Sequence, residues 1–394
     1  MGRRSLFSRT IGLVWRNPST LPAFLRFEYR RRWGSNWDRR RHPEHSALPS
    51  YISISPTRRC NLRCSMCVQY RREGDRPEDL NWYDPDQELP LNAWINLLDQ
   101  LADWRPVIFI TGGEPLLYPH ILELVAAAKE RHLIVHLQSN GVLLERVAEV
   151  VVDLGLEMVS VSIDGPPAVH DTIRGQGTFQ RSVAGIRALM TARQKRKAPG
   201  PLVDIPCTIS RDNLTHLPEM VPLALELGID KLRFIHTLFM TPEMVARHNA
   251  CLSPEFAQTQ GIAMIHPSIP EGEYYQSLIG PADLPVLINS LKEVKRRSRS
   301  RIPMEVTPDV SEAEIGPYYL DLDHPFPQVC RNLWQKARIL PDGSVSPCLH
   351  VVMGNITVDP LQKIWHSSPY RNFRRLVAKK LFPGCARCCN RGFS

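Results

Sequence analysis

Between Tyr51 and His236 the chain alternates short, β-rich apolar runs with longer amphipathic ones. The apolar runs are Tyr51–Ser55, Val107–Thr111, Leu133–Gln138, Met158–Ile163, Val203–Ile209 and Lys231–His236. Each has the length of a strand. Leu91–Ala102, Ile121–Arg131, Leu144–Leu154, Phe179–Arg196 and Leu217–Leu227 carry helical periodicity between them. Strands separated by helical crossovers pair in parallel. Six strands fall short of the eight that close a full barrel. The pattern predicts an α/β fold, a partial parallel (β/α)6 barrel, over residues 49–240. In such a barrel the loops after the strands share one rim, and chemistry collects there.

The rim loops carry unlike motifs. Cys60, Cys64 and Cys67 follow the first strand with Cys-x3-Cys-x2-Cys spacing. Three soft thiolates at this spacing suit one soft-metal centre and leave a corner of an iron–sulfur cube without a protein ligand. A zinc knuckle is the alternative at this point. Gly112, Gly113 and Glu114 follow the second strand, Ser139 and Asn140 the third, and Ser162 and Asp164 close the fourth. The glycines admit close backbone approach. Glu114 is a partner for an ammonium group, and the hydroxyl, amide and carboxylate groups suit ribose or an amino-acid moiety. Arg233 and His236 lie on the last strand.

The chain has 394 residues and a net charge of +9. Residues 1–45 hold 11 arginines against Glu28, Asp38 and Glu44. The excess thus belongs to a basic amphipathic arm, residues 1–48, and the nearly neutral remainder lacks the footprint of a large nucleic-acid surface. The arm, with apolar residues such as Leu6, Phe7, Ile11, Trp15, Phe24 and Phe27, allows three outcomes. The arm packs on the domain, lies on an anionic membrane surface or, a weaker option, contacts RNA. No run is long and apolar enough for a transmembrane helix, and no signal peptide is read. Clustered cysteines in a chain of this length fit a reducing cytoplasm, with peripheral membrane contact open.

Residues 241–328 are proline-rich and read as an irregular connector with one helix at Leu284–Arg297 and a short strand at Ile302–Val306. Residues 329–394 hold five of the ten cysteines and read as a small cluster-binding domain. Cys330, Cys348, Cys385 and Cys388 form its candidate ligand set, with Cys389 competing for the last place. Four thiolates make a closed site, for an iron–sulfur cluster or for zinc. Cys207 reads as a small buried apolar residue. Cys251 is a candidate catalytic hydrogen donor.

The cysteine loop and the Gly-Gly-Glu-Pro that follows the second strand resemble the radical S-adenosylmethionine (radical SAM) superfamily. The tail, with the stretch from Ser162 through His170, Asp171 and Arg174, is similar to the subset with a carboxy-terminal auxiliary cluster domain, called SPASM, or twitch when shortened. The resemblance implies a [4Fe–4S] cluster on Cys60, Cys64 and Cys67 with SAM on its open iron. It implies that Gly112, Gly113 and Glu114 bind the SAM amino group, Ser139 and Asn140 the carboxylate side, and Ser162 and Asp164 the ribose side. It further implies an auxiliary [4Fe–4S] cluster on Cys330, Cys348, Cys385 and Cys388, relaying an electron. His170, Asp171 and Arg174 are expected to clamp their loop rather than to act in catalysis. The implied activity is cleavage of SAM to a 5′-deoxyadenosyl radical that abstracts a substrate hydrogen. The implied partners are an organic substrate (peptide, sugar-like metabolite or lipid-linked) and a low-potential donor such as flavodoxin or ferredoxin. Two other readings remain: a membrane-associated modifier of a lipid-linked substrate, and a two-zinc scaffold binding nucleic acid through the arm.

Overall fold

The computed structural model describes residues 21–67, 88–239, 241–264, 278–321, 323–324, 329–348, 351–385 and 387–388. Residues 1–20, the polar loop at 68–87 and Cys389 lie outside them. The described strands are β1 Tyr51–Ile54, β2 Val107–Ile110, β3 Ile134–Ser139, β4 Met158–Val161, β5 Leu202–Ile209, β6 Lys231–His236, β7 Ala263–Met264, β8 Met304–Thr307, β9 Lys336–Ile339 and β10 Val351–Val352. Eight form one sheet in the order β8-β6-β5-β4-β3-β2-β1-β9, parallel throughout. The six expected strands are its centre. Beyond them, β8 pairs with β6, and β9 pairs with β1, Tyr51 opposite Lys336 and Ile54 opposite Ile339. Both additions satisfy edges that six strands alone leave unpaired. The barrel stays open, since β8 and β9 sit at opposite ends of the order.

Side chains alternate along each strand. Ile52, Ile54, Ile108, Ile110, Val135, Leu137, Val159, Val161, Val203 and Ile205 are buried in the main core. The alternate positions face one another across the inner surface. Tyr51 lies 5.8 Å from the Phe109 ring, and Phe109 lies 4.7 Å from His136. His136 Nε2 is 2.6 Å from Ser160 Oγ.

The described part of the arm packs on the barrel. Ala23 of helix Leu21–Tyr29 is buried against Val107 and Ile134, with Phe24, Phe27 and Tyr51 around it. Tyr51, Val107 and Ile134 are the first residues of β1, β2 and β3. The helix therefore covers the barrel mouth opposite the loops that carry the motifs. A buried Arg30 then straps the arm to the carboxy-terminal region. Its guanidinium donates to Asp38 Oδ2 (2.7 Å), Ser46 Oγ (3.2 Å) and the Trp334 carbonyl (2.5 Å). Trp334 Nε1 donates to the Pro43 carbonyl and Trp365 Nε1 to the Ala47 carbonyl, each at 3.0 Å.

The expectation of an irregular connector is corrected. Residues 241–328 contain helices Pro242–Cys251, Pro254–Thr259 and Glu312–Leu320 as well as Leu284–Ser298. Two of the prolines, Pro242 and Pro254, are first helical residues, where the missing N–H has no intrahelical partner to lose. Thr241 and Ser253 cap them, accepting from Met244 N–H and Phe256 N–H at 3.2 Å.

Burial also sets the response to acid. His170, His236 and His248 are 0%, 0% and 4% exposed. Loss of hydration lowers each pKa to about 4. The folded values lie below the unfolded one, so this stability is present above about pH 6.5 and is lost as pH falls toward 4. The unfolding free energy in urea is expected to drop between pH 7.5 and 5.5 by about 1.4 kcal/mol for each of the three. The drop is expected to be smaller in His236→Gln, which keeps a partner for Tyr319.

Candidate active site

The loop after β1 is held from three sides by the neighbouring rim loops. Gly113 N–H donates to the Thr57 carbonyl (3.1 Å) and Glu114 N–H to the Arg59 carbonyl (2.7 Å). Asn140 Nδ2 donates to Asn61 Oδ1 at 2.8 Å. Ser65 N–H donates to the Ile173 carbonyl at 2.9 Å, from helix Pro167–Arg174. Cys60, Cys64 and Cys67 are thereby brought beside Gly112–Glu114, Ser139–Asn140 and Ser162–Asp164.

The geometry revises why several of these residues are present. A Cβ on Gly113 would stand 2.3 Å from the carbonyl oxygens of both Arg58 and Arg59, and one on Gly112 would stand 2.2 Å from that of Thr57. The chain that approaches these glycines is the cysteine loop itself. Glu114 is fully buried. Its Oε1 accepts from Ser139 Oγ (2.9 Å) and Leu116 N–H (3.1 Å), and its Oε2 from Asn140 N–H (2.7 Å). Its carboxylate ties the loop after β2 to the loop after β3. Burial raises its pKa to about 7 against the pull of these donors.

On the other side, the buried Asp164 accepts from Thr208 N–H at 2.7 Å and pairs with the Arg174 guanidinium. Arg174 Nη1 also reaches Cys64 Sγ at 3.9 Å. His170 Nδ1 accepts from Asp164 N–H at 3.2 Å. Asp171 caps the helix Thr178–Lys195, accepting from Gly177 N–H and Phe179 N–H at 2.8 Å. These three residues clamp the loop as expected, and Arg174 in addition places a cation beside a candidate ligand.

The thiols suit a metal centre by their chemistry. Burial raises the pKa of Cys60, and that of Cys64 to about 11, with Arg174 pulling Cys64 the other way. The three sulfurs influence one another electrostatically. Half-buried soft donors such as Cys60 and Cys64, held from ionising by desolvation, are stabilised as thiolates by a bound cation. In the carboxy-terminal region Cys385 is coupled to Cys330, Cys348 and Cys388, and burial raises Cys330 to about 11. The fully buried Arg387, between Cys385 and Cys388, donates to the Pro317 carbonyl at 3.2 Å and to the carbonyls of Tyr318 and Asp321. Among the described residues no three His, Cys, Asp or Glu side chains close on a single-ion point. A four-iron cube takes its thiolates at separate corners.

Cys207 is fully buried on β5, as expected. Cys251 is exposed at the end of its helix, and none of the contacts that knit the rim together involves it. His236 turns away from the inner surface and meets Tyr319 Oη at 2.6 Å. Arg233, noted from the sequence, belongs to a set below the rim whose other members, Asp204 and Ser160, motif reading missed. Asp204 pairs with Arg233 and hydrogen-bonds Ser160, and Arg233 Nη2 donates to Ser160 Oγ at 3.2 Å. Strands of a parallel sheet covered on both faces are usually apolar throughout. The polar residues at alternate positions of β3 to β6 were the available signal.

Fold and site define an iron–sulfur enzyme on an open parallel barrel with a second cysteine-rich domain. A sequence model of the radical SAM superfamily matches residues 54–224, and one of the SPASM iron–sulfur cluster-binding domain matches residues 330–389. The barrel thus carries a radical SAM domain and the tail a SPASM domain, which together mark an iron–sulfur enzyme with a SAM-binding cluster and an auxiliary one. It is similar to a tungsten-containing aldehyde ferredoxin oxidoreductase cofactor-modifying protein of Pyrococcus furiosus, 23% identical over 86% of each chain. It is also similar to the PqqA peptide cyclase of Ruegeria pomeroyi, 26% identical over 85% of this chain and 78% of the relative. Against an AdoMet-dependent heme synthase of Methanosarcina barkeri it spans about half (51%) of the relative's length. The fold is shared with Streptococcus suis SuiB bound to S-adenosylmethionine, at TM-score 0.56 and 16% identity over 83% of this chain and 68% of that one.

Two substitutions test the site. Cys64→Ala is expected to halve the iron of anaerobically prepared protein, from about eight to about four per chain, by metal analysis. Arg174→Gln leaves Asp164 buried without its cation and is expected to lower stability by about 3 kcal/mol in urea unfolding.

Proposed function

We propose that this enzyme modifies a peptide by hydrogen-atom abstraction and that its auxiliary cluster relays an electron from the substrate. Cys60, Cys64 and Cys67 would hold the cluster, which with SAM bound would supply, on one-electron reduction, a 5′-deoxyadenosyl radical and methionine. The observation that carries the reading is the contrast within one chain. Three thiols follow β1 among polar groups on an open rim, and, among the described residues, four fall in the second domain. Three thiols leave a corner for SAM, whereas four leave none for substrate and suit electron transfer alone.

The proposed duties of the chain's own residues follow from their contacts. Glu114 and Asp164 hold the loops after β2 and β4 so that main-chain groups at Gly112–Gly113 and the Ser139, Asn140 and Ser162 side chains surround the SAM position. Arg174 neutralises part of the thiolate charge at Cys64. Ser160, Asp204, Arg233 and His136 offer hydrogen bonds to a polar substrate group inside the barrel, below the radical's origin. Burial takes His136 to about 3, so it stays neutral and accepts or donates without charge.

A peptide is favoured because a relative that matches most of the chain is named a peptide cyclase, and a fold neighbour is described as bound to a precursor peptide. A small polar metabolite is the second reading, favoured by the Asp204–Arg233 pair on the inner surface. The electron donor is proposed to be a flavodoxin or ferredoxin. Among the described residues no helix is long and apolar enough to cross a membrane.

The test is anaerobic incubation of the reconstituted protein with SAM and reduced flavodoxin, assayed for 5′-deoxyadenosine. Wild type is expected to form it, and Cys60→Ala to fall at least a hundredfold. Absence of product from wild type with both clusters intact and SAM bound would overturn the radical chemistry.

A further inference from the structure

We propose that the arm's outer face docks on an anionic lipid bilayer, with the catalytic rim turned away from the membrane. The argument begins with exposure. Leu25, Tyr29, Trp33 and Trp37 are 57%, 56%, 61% and 61% exposed. They recur at every fourth residue, and they include all the exposed large aromatic residues among the described ones. On a regular helix a four-residue spacing drifts by about 40° per step and carries such residues off one face. Here a π turn, Arg30–Gly34, separates Tyr29 from Trp37 and winds back against that drift, with Ser35 N–H donating to the Arg30 carbonyl. The Tyr29 and Trp33 rings stay 6.4 Å apart. Gly34 lets the Tyr29 ring lie close over the turn, since a Cβ there would stand 2.9 Å from it.

Charge selects the occupant. The Arg32 guanidinium lies 5.9 Å from the Trp33 ring centre, and that of Arg41 lies 4.9 Å from Trp37. Arg26 and Arg40 are exposed as well. Residues 1–20, which precede this helix in the sequence, hold Arg3, Arg4, Arg9 and Arg16 with no acidic residue. Indole and phenol rings prefer the headgroup level of a bilayer, and adjacent arginines attract acidic lipid. The inner face of the same helix covers the barrel mouth formed by Tyr51, Val107 and Ile134. The cysteine loop and its neighbours leave the strands at the other end. A membrane at the arm therefore leaves the rim open to a soluble substrate and electron donor, and is an address rather than a lipid-substrate port. The orientation rests on the function proposed above; the docking does not.

The experiment is flotation of the full, cluster-loaded protein with vesicles of phosphatidylcholine alone and of phosphatidylcholine with phosphatidylglycerol. Wild type is expected to float only with the anionic vesicles, and less at high salt. Trp33→Ser/Trp37→Ser and, separately, Arg40→Glu/Arg41→Glu are expected to weaken binding about tenfold or more. Both variants should keep the cluster absorbance and the 5′-deoxyadenosine yield of wild type. Brominated lipid is expected to quench wild-type tryptophan fluorescence more than that of the tryptophan variant. No flotation of wild type, or equal flotation of the variants, overturns the docking. So does a wild-type dimer that the tryptophan variant converts to monomer without any vesicle binding. Loss of flavodoxin-driven turnover on vesicles, with binding intact, overturns the orientation.

Discussion

The rim depends on one guanidinium. Arg174 sits between a fully buried carboxylate, Asp164, and the sulfur of Cys64. Each neighbour alone is costly to bury in its charged form, and a cation shared between them offsets both. The same residue ends the helix whose Ile173 carbonyl holds Ser65. Position of the cysteine loop and electrostatics of its thiols therefore have a common origin. Glu114 does the equivalent work on the opposite side, joining the loops after β2 and β3 through Ser139 Oγ and Asn140 N–H. Neighbouring loops of a parallel barrel have no ladder to hold them together. Buried carboxylates supply that connection here.

The molecule divides its tasks between the two ends of the strands. One end gathers thiols, glycines and polar side chains. The other is closed by Phe24 and Phe27, and Arg30 carries the closure on to the carboxy-terminal domain. That domain is in turn fixed by buried cations. Arg374 donates to the carbonyls of Leu333 (2.8 Å) and Trp365 (2.9 Å) and lies about 4 Å over the Trp365 and Tyr370 rings. β9 lies in the main sheet, so the second domain begins as a continuation of the barrel.

Much of this was legible because parallel strands and ligand spacings are local patterns. Val107–Ile110 and Lys231–His236 announce themselves by composition, and Cys60, Cys64 and Cys67 by spacing alone. Helix Leu284–Ser298 was legible, but Pro242–Cys251 and Pro254–Thr259 were not, because Pro242 and Pro254 look like breaks until Thr241 and Ser253 are seen to cap them. Glu114 was assigned a ligand-facing duty on its motif. Its burial and three protein donors become visible only when the loop after β3 is placed beside it. Cys251 reads as a candidate hydrogen donor by sequence, and the fold leaves it on an exposed helix end.

The sequence by itself determined the class: a parallel α/β core, a three-thiol site after the first strand and a four-thiol set in the tail. These rest on periodicity and on the number of donors, which the chain carries residue by residue. Only the tertiary structure decided that Gly112 and Gly113 accommodate the cysteine loop, and that Arg174 reaches Cys64 across 110 residues of sequence. It also decided that the arm plugs the barrel while turning Trp33 and Trp37 outward. Those facts depend on which surfaces meet, and no window of sequence contains both partners.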